Sequence, residues 1–129
     1  MIAMQYGSGQ DQEKKNGIVL ESLWTNDSPS NSFSGQTVTL SKSVSEFTLI
    51  LFVYVFSTGT QNYNTRLYPT ATLEEGVTCD LQINAGSSNR TGARNVTLAS
   101  ENTVTFGAAS YNGSTANGYV IPTQIFGIR

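Results

Sequence analysis

"EFTLILFVYVFSTG", residues 46–59, is the stretch whose reading decides the fold. Successive side chains of a strand point to opposite faces. Thr48, Ile50, Phe52, Tyr54 and Phe56 therefore share one side, and Leu49, Leu51, Val53 and Val55 share the other. A strand with one wet face alternates apolar with polar residues, and this one is apolar on both faces. The run is too short to cross a bilayer as a helix, which takes about 20 apolar residues. Something must cover each face, and the rest of the chain has to say what.

The composition around this strand is that of an all-β domain. The chain has 129 residues, enough for one domain with a substantial core. Only 12% of them are charged, about half the ordinary share. Solvated helices need Glu, Lys and Arg on their outer faces, whereas Ser/Thr surfaces over β-branched and aromatic interiors suit sheets. Net charge is −2. The basic residues Lys14, Lys15, Lys42, Arg66, Arg90, Arg94 and Arg129 are scattered apart from the first pair. They read as ordinary surface charges and form no patch that would displace counterions from a nucleic acid.

Outward from the long strand, turn formers mark the boundaries of about eight short strands. Residues 1–16 are polar and without period, and read as a flexible lead or linker ahead of a β-sandwich domain over 17–129. This start has no basic region followed by an apolar one, so it does not read as a secretory signal. Strands are expected at 17–24, 37–40, 47–56, 77–84, 94–98, 103–107 and 119–128, with a weak one interrupted by Pro69 within 65–76. Phe33, inside the loop 25–36, is expected to tuck onto the core. The fold class is an antiparallel β-sandwich, jelly-roll-like in strand number and spacing.

Little here carries catalytic chemistry. The chain has no histidine, which removes the Ser-His-Asp triad and imidazole metal sites. The single cysteine, Cys79, precludes an intrachain disulfide. In "VTCDLQIN" it keeps register with Val77, Leu81 and Ile83, so a buried, inert thiol is expected. No glycine-rich phosphate loop or calcium loop is present. A glycosidase needs two facing carboxylates. Glu74 and Glu75 are adjacent and diverge on a strand, so they read as a charged turn, and a distant pair such as Glu21 with Asp80 is left to the fold. No catalytic residue, metal or cofactor is assigned.

Two loops remain, "STGTQNYN" (57–64) and "AASYNGSTANG" (108–118). They mix tyrosine with Asn, Gln, Ser and Gly, the chemistry of antigen-binding loops, and one that also suits sugars. Gln61, Asn62, Tyr63, Asn64, Tyr111 and Asn112 are the candidate ligand-binding residues.

Two further segments carry a resemblance. "LWTNDSPSNSFSGQTVTLS" (23–41) and "RNVTL…NTVTFG…VIPTQIFGIR" (94–129) resemble the opening and ending of a C-terminal domain found in minor structural, tail-fibre and baseplate proteins of phages and prophages of Firmicutes. Phe126 stands where that family usually has Tyr. The resemblance implies a non-enzymatic virion-tip domain, usually homotrimeric, in the phage tail or extracellular after host lysis. Its implied role is to bind a bacterial surface glycan or to join virion parts. The alternatives are a polysaccharide depolymerase domain with an acidic pair, or a bacterial carbohydrate-binding module unrelated to phages. No nucleic-acid or membrane partner is expected.

A symmetric assembly also suggests what covers the second face of the long strand. The Leu/Val set is assigned to the sandwich core. Ile50, Phe52, Tyr54 and Phe56 are assigned to an oligomer interface or to a boundary with the chain's own N-terminal segment.

Overall fold

Short runs of alternating or wholly apolar residues, broken by Asn, Gly, Ser and Pro, build two antiparallel sheets around one core. The structure is a computed structural model, and it describes residues 13–15, 18–59, 62–85 and 90–129. The strands are β1 (Glu13–Lys15), β2 (Ile18–Thr25), β3 (Gln36–Thr39), β4 (Leu49–Ser57), β5 (Tyr63–Pro69), β6 (Thr78–Ala85), β7 (Arg90–Ser100), β8 (Thr103–Tyr111), β9 (Ser114–Thr115) and β10 (Tyr119–Ile128). Among the described residues, helix is confined to the 3-10 turns Val44–Glu46 and Thr70–Thr72. The first sheet runs β1-β2-β10-β4-β5, and the second β3-β8-β7-β6 with β9 beside β8. Early strands pair with late ones, β2 with β10 and β3 with β8, while β4–β5 is a hairpin and β6–β7–β8 a meander. The expected all-β sandwich is what forms.

Strand β1 lies inside the segment read as an unstructured lead. Its backbone pairs with β2, Glu13 opposite Leu20 and Lys15 opposite Ile18. The rest of that lead, residues 1–12 and 16, lies outside the described residues, as does residue 17.

The two faces of β4 are the reverse of the expected assignment. Ile50, Phe52 and Tyr54 are buried in the core, at 1–2% exposure, and Phe56 is half-buried against it. Leu49, Leu51 and Val53 are half-buried on the other side. The reason is reach. Packed sheets stand about 10 Å apart, a gap that long aromatic side chains can span. Phe52 meets Tyr68 and Phe106 edge to face, with ring centroids 6.0 and 6.4 Å away. The Tyr54 hydroxyl donates to the Gln82 carbonyl of the opposite sheet at 2.9 Å, and Tyr68 to that of Asp80 at 2.6 Å. Each buried phenol thus finds its acceptor across the gap. Past Tyr54 the alternation breaks, and Val55 is buried too. Here Thr123 bulges from β10 opposite β4 and donates its hydroxyl to the Val53 carbonyl.

Two other expectations need correction. Arg94 is not a surface charge. It is 1% exposed, in inward register with Val96 and Leu98. Its guanidinium donates to the carbonyls of Val120 (2.8 Å), Gly107 (2.8 Å) and Tyr119 (3.2 Å) and lies over the Phe33 ring. Burial pulls its pKa down to about 10. Cys79 is half-buried rather than fully buried, because β6 begins only at Thr78 and leaves Val77 exposed, while Leu81 and Ile83 do enter the core. Phe33 tucks in as expected, packing edge-on against Trp24 and Phe106.

Candidate functional site at the loop end

The two tyrosine-bearing loops are far apart in sequence but emerge at one end of the sandwich. Strand pairing carries β4 and β10 to that end in register, Ser57 opposite Tyr119. Just beyond, the Thr58 amide donates to the Gly118 carbonyl at 3.0 Å and ties the loops together. A third loop joins them where the Phe33 amide donates to the Asn117 carbonyl. Asn117 is itself braced, since its side-chain oxygen accepts from the Ala109 amide.

An aromatic cluster floors this end. Tyr111 and Tyr119 stack with centroids 4.0 Å apart and planes 5° from parallel. Phe56 meets both edge-on, at 5.9 and 5.3 Å. Such packing fixes the ring positions. Beneath it, Val120 has a left-handed backbone (φ 49°), rare for a β-branched residue. The carbonyls of Tyr119 and Val120 are the ones that Arg94 grips, so the buried cation holds the strained turn on which Tyr119 stands.

The candidate ligand residues differ in exposure and in place, Tyr63 standing on β5 opposite Val55 and Tyr111 in the aromatic cluster. Tyr63 is 64% exposed and Asn62 is exposed beside it. Asn64 is half-buried and donates to the Asn62 carbonyl at 3.3 Å. Tyr111 is half-buried in the aromatic floor. Asn112 is a turn residue (φ 51°) whose amide and side-chain oxygen both pair with the backbone of Thr91, so it shapes the hairpin. Gln61 lies outside the described residues. Tyr63, Asn62 and Asn112 are thus the candidates with free surface, Asn112 shaping the hairpin as well, and Tyr111 is a support. Tyr119, half-buried in the same floor, was not singled out from the sequence, although its place at the end of the glycine-rich loop offered a signal.

No family model matches this sequence, and no curated protein matches it.

The two segments that carry the phage-domain resemblance meet in space, β2 lying antiparallel beside β10. Their residues do structural work. Asn26 donates its side-chain amide to the Pro122 carbonyl at 2.8 Å and its backbone amide to that of Thr123. Gly127 lies so close to the Phe47 ring that a Cβ there would come within 2.6 Å of it. Arg129 covers the other side of that region, 4.7 Å from the Phe47 ring centre, and donates to the Glu46 carbonyl.

The carboxylates do not form a catalytic pair. Glu21 is held by Lys42 at 2.6 Å and Arg129 at 3.3 Å, with Glu46 3.7 Å from the same guanidinium. The hydrogen bond from Lys42, helped by Arg129, holds the Glu21 carboxyl below the usual carboxylate range. A general acid needs the opposite shift. Asp80 is on β6, along the flank where β5 reaches across, whereas Glu21 is on β2 at the other flank, so that pair does not meet. Among the described residues no cluster of three metal-ligating side chains occurs, and no helix is long and apolar enough to cross a membrane.

Proposed function

We propose that this chain is a non-catalytic binding domain of the phage tail-tip kind, which takes a bacterial surface glycan at its loop end. The observation that carries the reading is the junction at Thr58–Gly118, which joins two tyrosine- and asparagine-rich loops over a rigid aromatic floor. An exposed tyrosine ring offers a face for a pyranose, and neighbouring amides offer donors and acceptors for its hydroxyls. Pairing of the depressed Glu21 carboxyl with two cations weighs against the depolymerase alternative. The tail-tip setting rests on the sequence resemblance of segments 23–41 and 94–129, which meet where β2 lies beside β10.

Titration with purified wall polysaccharides tests the reading. Binding without release of reducing ends is expected, and Tyr63→Ala should weaken it on the order of tenfold or more. Release of reducing ends, or binding that ignores both Tyr63→Ala and Asn62→Ala, would overturn it.

A further inference from the structure

The outer face of the first sheet carries an inference independent of the glycan reading. Register places Leu51 between Phe126 and Leu67, and Leu49 between Ile128 and Pro69. On β2, Leu20 stands beside Ile128 and Ser22 beside Phe126. The third row, Thr25–Gln124–Val53–Thr65, is polar at three positions but uncharged. No charged residue stands among these rows on β2, β10, β4 and β5, but β1 continues the sheet past β2 and places Glu13 opposite Leu20 and Lys15 opposite Ile18, so the face is charged at that edge. Leu67 is 46% exposed, Leu20 39% and Ile18, at the corner, 53%. This is the second face that the opening strand leaves to be covered.

We propose that this face packs against the same face of a second copy of this chain, as a two-fold pair. Size fits that occupant. Three rows on four strands, about 4.8 Å apart between strands and about 6.8 Å between same-side residues, cover roughly 400 Å² before side-chain relief is counted. Two such faces together remove roughly 800 Å² before side-chain relief, which brings the pair toward the roughly 1,000 Å² at which specific association begins. Chemistry fits as well. Loss of charge at the centre of a patch marks protein interfaces, and an apolar centre marks homodimers above all. A face uncharged at its centre, with one residue of each sign at its β1 edge, offers no single sign for a charged partner to complement, and it is complementary to itself. A net charge of −2 per copy adds little repulsion. A three-fold ring would need two different patches, whereas one self-complementary face closes on one copy.

Sedimentation of the full chain from low to high micromolar concentration tests this. The expected species has twice the chain mass. Leu67→Glu should weaken association on the order of a hundredfold, since it puts an unpaired carboxylate into the contact. Leu67 is exposed on the edge strand, so circular dichroism and melting of that variant report whether the fold is kept. Glu101→Gln, off this face, should change nothing. A wild type that stays monomeric at all concentrations, a mass of three copies, or a dimer indifferent to Leu67→Glu would overturn the proposal.

Discussion

The two faces of the first sheet are equally apolar in sequence and differ in what they touch. The inner one holds Ile50, Phe52 and Tyr54 against the opposite sheet, with each phenol's hydroxyl satisfied. The outer one holds Leu49, Leu51 and Val53 half-covered, with Leu67 open beside them. Hydrophobicity alone did not choose between them. Side-chain length and a waiting acceptor across the gap did.

Substitutions on each face measure this difference. Phe52→Ala should cost about 3–5 kcal/mol in urea unfolding, since it empties a fully buried site. Leu51→Ala, one residue along, should cost about 1 kcal/mol measured on the monomer. Equal costs would break the comparison.

Gly127→Ala asks whether the inner face tolerates one more methyl beside Phe47. A cost of about 1–3 kcal/mol is expected, read as a lowered melting temperature, because the ring must move.

Tyr54→Phe sharpens the comparison by removing only the polar tip. It leaves the Gln82 carbonyl without that donor and should cost about 1–2 kcal/mol. It should also change the alkaline limb. Burial raises the Tyr54 pKa above 10.0, so the unfolded chain loses this proton first. The contribution is whole below pH 10 and is lost as pH rises through the folded-state value. Tyr54→Phe should therefore decline less steeply than wild type above pH 10 in pH-dependent melting.

Glu21→Gln should have the smallest effect, under about 1 kcal/mol at neutral pH, because both cations that hold this half-buried carboxylate are themselves exposed to solvent. Because the Glu21 pKa is lowered from 4.5, its contribution is present above that value and fades as pH falls through the folded-state value. The two proteins should converge in acid, which an acid-titration melt would read.

Most strand positions were legible because each run ends in turn-forming residues, and the long strand reads almost to its true bounds, but β7 begins at Arg90, four residues ahead of the expected start. The extension of β8 to Tyr111 was not legible, since "AASYNG" has loop composition and is held by pairing with Gly92 and Ala93. β4 carries no polar marker from 49 to 56, so its inward side was decided by partners remote in sequence. Arg94 did announce itself in one way, standing two and four residues before Val96 and Leu98. A charge in that register reads as an interruption until three carbonyls are seen around it. Of the loop residues, exposure of Tyr63 followed from a polar setting, but the framing role of Asn112 depends on β7, which the sequence does not place beside it.

The grip of Arg94 also bears on the order in which the chain can close. Its acceptors come from β8 and from the final strand, and β10 also lies between β2 and β4. A nascent chain lacking that strand has a split first sheet and a cation missing two of its three acceptors. Partial sandwiches are thereby penalised twice, by geometry and by desolvation. Folding should wait for β10 and then proceed as one cooperative step.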